Sequence, residues 1–151
     1  MQLEVIGKFV NQVDCKKKGG LALMLLGYSG LIYYLSSQVW QGFQPVFDNQ
    51  DKLEHILAFG FMAFVAWTLL RQWSQVRYVW LWAWIYTVIY GLCDEWHQLF
   101  VPGRYADVAD LLADAIGAAL AICLLEILRA RHTIRRNEGT GVLNNQLLSA
   151  H

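Results

Sequence analysis

Long stretches of this chain carry no charge. Residues 19–47, 56–70 and 78–93 hold no Asp, Glu, Lys or Arg, and residues 111–125 hold only Asp114. A helix that crosses a bilayer needs about 20 residues, within a range of about 17–25. Each run reaches that size by taking in adjoining polar residues, at 20–37, 51–70, 78–98 and 108–128. Helices of a soluble bundle would carry a polar stripe every three to four residues. The segment YVWLWAWIYTVIYGL, residues 78–92, has none. Apolar residues make up 56% of the 151-residue chain and charged ones 16%, against about 25% charged in an average soluble domain. Disordered, collagen-like and disulfide-stapled chains are excluded on these numbers. A formal net charge of zero argues against nucleic acid as a partner. Cys15, Cys93 and Cys123 match no zinc or disulfide spacing, and Cys93 and Cys123 read as reduced apolar residues at helix interfaces.

The charges are sorted by side. If four spans alternate from a cytoplasmic N-terminus, ten of the twelve basic residues are cytoplasmic and only Lys52 and Arg104 are outside. Eight of the twelve acids lie outside or in the outer half: Asp48, Asp51, Glu54, Asp94, Glu95, Asp107, Asp110 and Asp114. This is a strong positive-inside bias. The expected fold is an all-α, four-helix transmembrane bundle with both termini cytoplasmic. Trp67, Trp73, Trp80, Trp82 and Trp84 suit an interfacial aromatic belt. Leu3, Ile6, Phe9 and Val13 have the spacing of an interfacial helix within a segment 1–18 that ends on the Lys16–Lys18 anchor. A basic cluster before an apolar run also resembles a signal peptide. No small-x-small site follows in YYLSSQVWQGF, so the run reads as a retained first span. After the four-span unit, 19–128, comes a basic cytoplasmic tail, 129–151, polar enough to be mobile.

The polar residues of the spans fall at one level, the outer one. Asp51 and His55 share a helix face at the entry to span two, with Lys52 beside them. Asp94, Glu95 and Gln98 stand at the exit of span three. Asp107, Asp110 and Asp114 open span four on the face that also carries Gly117 and Ala121. Pro102–Gly103 marks the turn before Arg104. Asp107 has the position of a helix N-cap, and Gly117 with Ala121 that of a close helix contact. Asp114 lies about 6 Å deeper than Asp110. A lone acid at the centre of a spanning helix costs about 2.5–3.5 kcal/mol, so it needs partners in the bundle interior. His55, Gln98 and Arg104 are the candidates. Their network either fixes helix register or forms a functional polar pocket.

Glu95, Asp110, Asp114 and His55 could bind a divalent cation through oxygen and imidazole, although their spacing matches no metal signature. His55 or a carboxylate could serve as general acid or base. Arg104 and Lys52 could hold an anionic headgroup. No Ser, Thr or Cys is placed as a covalent nucleophile.

The run YGLCDEWHQLFVPGRYADVADLLADAIG, residues 90–117, resembles the signature of the VanZ-like membrane family. The matching positions are Asp94, Glu95, Gln98, Phe100, Pro102, Gly103, Arg104, Asp110, Asp114 and Gly117. Asp51, Lys52 and His55 match that family's upstream motif. The resemblance covers roughly residues 20–128. It implies a bacterial cytoplasmic-membrane protein, since the family's namesake is linked to lowered teicoplanin susceptibility. It implies no reaction.

These readings combine into an outward-facing acidic pocket that engages a polar lipid or a lipid-linked cell-wall intermediate. His55, Glu95, Asp110 and Asp114 form its reactive centre. Lys52, Gln98, Arg104, Asp51 and Asp94 hold the ligand. The alternatives are a non-catalytic binding or shielding protein and a structural membrane subunit. A divalent cation is the cofactor that the donors of this centre would take. Topology is directly testable in a background lacking the three native cysteines. A cysteine at Tyr105 should react with a membrane-impermeant maleimide in intact cells, and one at Gln75 only after permeabilisation.

Overall fold

The computed structural model describes the backbone of residues 2–39, 46–73 and 75–149, and side chains within 17–39, 46–73 and 75–134. The described residues form four helices and no strand: α1 (Gln2–Ser36), α2 (Gln50–Leu70), α3 (Val79–Gln98) and α4 (Val108–Ser149). Their apolar parts correspond to the four expected spans, 20–37, 51–70, 78–98 and 108–128. Three of them, Lys17–Ser36 within α1, all of α2, and Val108–Ile134 within α4, are long and apolar enough to cross a membrane. At 20 residues α3 has the length. Its Trp and Tyr side chains lower its mean hydropathy, because their polar N–H and O–H groups offset large apolar bodies.

At both chain ends the helices run past the apolar segments. Residues 2–18 are not a separate interfacial helix, since α1 runs through the Lys16–Lys18 cluster without a break. α4 likewise continues to Ser149, through the basic segment that follows the fourth span. No proline occurs after Pro102, and an isolated glycine such as Gly139 or Gly141 costs about 1 kcal/mol without ending a helix.

α2 packs against each of the other three helices. It supplies most of the core: Phe59, Met62, Ala63, Val65, Ala66 and Leu69. Ala83 of α3, Ala118 and Ile122 of α4, and Leu25 and Ile32 of α1 complete it. The opposite faces are also apolar. Leu57 is 64% exposed, Leu92 56% and Leu120 61%. A bundle apolar both inside and out buries its second surface in lipid. Cys93 and Cys123 belong to this outer surface, both free and exposed. They are therefore not at helix interfaces, because their positions fall on the faces turned away from the core.

The α2–α4 contact is very close. A Cβ on Gly117 would lie 2.8 Å from the Ile56 Cα and carbonyl carbon. A Cβ on Gly60 would lie 3.2 Å from the Gly117 carbonyl oxygen and 3.9 Å from the Ala121 Cβ. Small residues let the two backbones meet, as expected for the Gly117–Ala121 pair.

Hydrogen bonds from aromatic side chains tie the remaining helices. Trp84 Nε1 donates to the Ala115 carbonyl (3.1 Å), and Trp67 Nε1 to Glu126 Oε1 (2.8 Å). These two indoles point into the bundle and leave the expected belt to Trp73, Trp80 and Trp82, which are exposed. Tyr28 donates to Ala58 O, and Tyr90 to Ser29 O. The His97 ring lies 4.3 Å from that of Tyr33 of α1, tilted by 32°, and its Nε2 is 2.9 Å from Ser37 Oγ.

Gly117→Ala should destabilise the protein by about 1–3 kcal/mol through overpacking against α2. Gly30→Ala, whose Cβ meets nothing within 4 Å, should be neutral or stabilising by up to about 1 kcal/mol. Thermal unfolding in detergent reads both.

Candidate functional site

The N-termini of α2 and α4 and the C-terminus of α3 meet at one end of the bundle. Each brings ionisable side chains. The first turns of α2 carry Asp51, Lys52 and His55 on one side of the helix. The last turn of α3 carries Asp94, Glu95 and Gln98, all buried. α4 presents Asp107 at its N-cap and then Asp110 and Asp114 one and two turns in. Asp107 Oδ1 accepts the Ala109 N–H at 2.8 Å, which is the capping role read from the sequence.

His55 is the centre. Its Nδ1 lies 2.8 Å from Asp114 Oδ1. An ionised carboxylate only accepts, so Nδ1 carries the proton and donates it. Nε2 then faces Asp110 Oδ2 at 3.9 Å, beyond hydrogen-bonding distance. One ligand atom each of His55, Glu95 and Asp110 lie within 4.8 Å of one another. Asp114 is fully buried, and its Oδ2 has no hydrogen-bond partner. Gly91 of α3 makes the space for it, since a Cβ there would come within 3.2 Å of the Asp114 carboxyl carbon. Phe59, one helical turn below His55, stacks parallel to the imidazole at 5.8 Å.

Lys52 forms the rim. Its ammonium donates to Asp107 Oδ2 (2.6 Å) and Asp51 Oδ2 (2.9 Å). It also approaches Asp110 Oδ1 at 2.6 Å, an ion pair without hydrogen-bond alignment. The ammonium, followed by the Ala109 N–H, holds the Asp107 carboxyl below the usual carboxylate range. Glu95 Oε2 accepts the Asp107 backbone N–H at 2.7 Å, which fastens α3 to the start of α4. Its other oxygen, Oε1, is buried with no partner.

The structure thus brings together His55, Glu95, Asp110 and Asp114, with Lys52 above them. It does not bring in every residue the sequence suggested. Arg104 is turned away from the acids. Its guanidinium donates to the Leu35 carbonyl (3.3 Å) and the Gln38 carbonyl (2.9 Å), at the turn that closes α1, where the Leu35 carbonyl also accepts the Gln38 N–H. The turn at Val101–Arg104 aims it there, with Gly103 at φ 85° and the Arg104 N–H bonded to Val101 O. Gln98 donates to Asp94 Oδ2 at 3.2 Å within α3 rather than to Asp114. Asp51 is exposed and touches the cluster through Lys52 alone. Lys52 is itself surrounded by carboxylates, which weakens its candidacy as an anion holder. Phe59, Gly91 and Gly60 shape the centre and were not singled out from the sequence. Phe59 had a signal, its four-residue spacing from His55. The other two did not, because a glycine's packing role depends on what stands opposite.

Chemically the centre offers an imidazole with a fixed tautomer and two further carboxylates, all largely buried. That suits proton transfer or cation binding. A separate apolar recess of about 400 Å³, lined by Leu25, Leu69, Trp82 and Tyr86 among others, does not include these residues.

The family model described as VanZ/LLP1 matches residues 11–129. No curated protein and no solved structure matches the chain.

Removing one partner of a buried charged pair costs about 3–5 kcal/mol, whereas replacing both by apolar residues is often neutral. Asp114→Leu should therefore lower stability by about that amount, and adding His55→Leu should recover most of it. The double-mutant cycle is read by thermal unfolding in detergent.

Proposed function

This chain belongs to the VanZ/LLP1 family, and from that premise we propose a multi-pass protein of the bacterial cytoplasmic membrane whose acidic end faces outward. All four helices span, and the basic segments keep both termini in the cytoplasm. α3 crosses with the others, since the Glu95 contact to α4 at one end and the Trp84 contact further along hold it beside α4.

At the outer end the protein engages the headgroup of a polar lipid or a lipid-linked cell-wall intermediate. Through that engagement it modulates susceptibility to glycopeptides such as teicoplanin. One observation carries this reading. Buried ionisable side chains from three helices converge at a single level of a bundle whose other buried residues are apolar, apart from the Gln98 amide and the hydroxyls of Ser29, Ser36 and Thr87. Ionisable groups at membrane depth are expensive and mark functional sites by default. Acids outnumber bases there, so the site favours a headgroup that brings hydroxyl or ammonium donors. Lys52 closes the rim, and Arg104 serves the site indirectly by holding the end of α1 in place.

The reading is tested on protein purified in native lipid nanodiscs. Native mass spectrometry should find an envelope lipid retained by the wild-type chain. Folded Glu95→Gln and Asp110→Asn variants should bind it about tenfold or more weakly, about 1.4 kcal/mol. Expression of the wild type, and not of these variants, should raise the teicoplanin concentration that inhibits growth. Undiminished lipid retention and an undiminished phenotype in both variants would overturn the proposal.

A further inference from the structure

We infer that His55, Glu95 and Asp110 form a binding site for one divalent transition-metal cation, with Asp114 as the residue that positions the imidazole. Four observations lead there. The first is the convergence of the three ligand atoms within 4.8 Å. Tetrahedral ligands at about 2.0–2.2 Å from a metal lie about 3.4 Å apart, so the three side chains need to draw together by about an ångström to close the site.

The second is the state of His55. Asp114 claims Nδ1 at 2.8 Å, which leaves the Nε2 lone pair directed at the Asp110 carboxylate, 3.9 Å away. Two acceptors facing each other at that distance repel, unless a cation lies between them. A carboxylate behind a metal-bound imidazole is the usual way a protein fixes its tautomer and raises its basicity.

The third is Glu95. It is only 5% exposed, and Oε1 has no partner. A buried carboxylate oxygen without a donor is costly, and a bound cation removes the cost. The fourth is the balance of charge. Glu95, Asp110 and Asp114 are all buried, and the nearby ammonium, Lys52, is divided among Asp51, Asp107 and Asp110. Lys52 neutralises the rim and leaves Glu95 without a partner of opposite charge, apart from a proton on His55.

The donor set identifies the class of ion. One imidazole and two carboxylates suit Mn²⁺, Fe²⁺ or Zn²⁺ better than Ca²⁺ or Mg²⁺, which prefer oxygen alone. Three protein ligands leave coordination positions open, as in sites where a metal meets water or a substrate oxygen. The cation site stands on its own observations and does not depend on the lipid reading above.

The full-length, metal-stripped protein in detergent is titrated with Zn²⁺ by calorimetry and with Mn²⁺ by pulsed electron paramagnetic resonance. One equivalent of Zn²⁺ should bind. Bound Mn²⁺ should show nitrogen coupling from a single imidazole. Glu95→Gln and His55→Gln should abolish stoichiometric binding, and Asp114→Asn should weaken it by about 10–100-fold. Glu54→Gln, an exposed change on the same helix, should leave it intact. Absence of a stoichiometric event, or its survival in Glu95→Gln and His55→Gln, overturns the inference. If those variants do not fold, the wild-type spectrum decides, because Mn²⁺ bound without nitrogen coupling also overturns it. Metal alone is the probe, so the result is independent of whether lipid binds.

Discussion

The close approach of α2 and α4 at Gly117 sets the geometry on which the site depends. Ile56 rests its backbone where a Gly117 side chain would stand. His55 is the residue before Ile56, and Asp114 is one turn before Gly117. The backbone contact therefore brings an imidazole from one helix onto a carboxylate of the other at 2.8 Å. In a bilayer there is no water to push helices together, so packing of small residues and polar contacts must do it. Gly60, Gly117 and Ala121 supply the first, and His55 with Asp114 the second.

α3 completes this arrangement from the side. Gly91 leaves room for Asp114, and Glu95 reaches the backbone N–H at the start of α4. The third helix thus both walls the buried acids and adds one more to them. α1 is held by different means: Tyr28 and Tyr90 hydroxyls, the His97–Tyr33 ring contact, and the Arg104 guanidinium on its final carbonyls. These contacts lie around the acidic cluster and none belongs to it. The division explains why Arg104 stands within the same short sequence as the site acids without touching them.

Much of the fold was legible because charge is excluded from lipid-facing helices and its absence can be counted along a chain. The uncharged runs, lengthened over adjoining polar residues to 51–70 and 78–98, match α2 and α3 nearly to the residue. The turn at Pro102–Gly103 and the Asp107 cap follow from local chemistry and appear as read. The two long helices, α1 and α4, extend beyond their apolar parts towards the chain termini, because hydropathy marks where a membrane would begin and not where a helix stops. The site was legible as a level rather than as an arrangement. Helical spacing shows that Asp110 and Asp114 share a face. It cannot show that His55 turns Nδ1 to one and Nε2 towards the other. Gln98 and Arg104 were misplaced for the same reason: a polar group near the acids in sequence has backbone and intrahelical partners that only packing reveals.

By itself, then, the sequence determined that this is an all-helical chain, which helices are apolar, and which end of the bundle gathers the acids. Those properties depend on composition and helical period, which are local. Tertiary structure alone decided which acids meet. It put Asp114 behind the imidazole, Glu95 and Asp110 in front of it, Lys52 across the rim and Arg104 on α1. Those outcomes depend on how closely two helices can approach and at what register, and the approach is set by the absence of a side chain at Gly117.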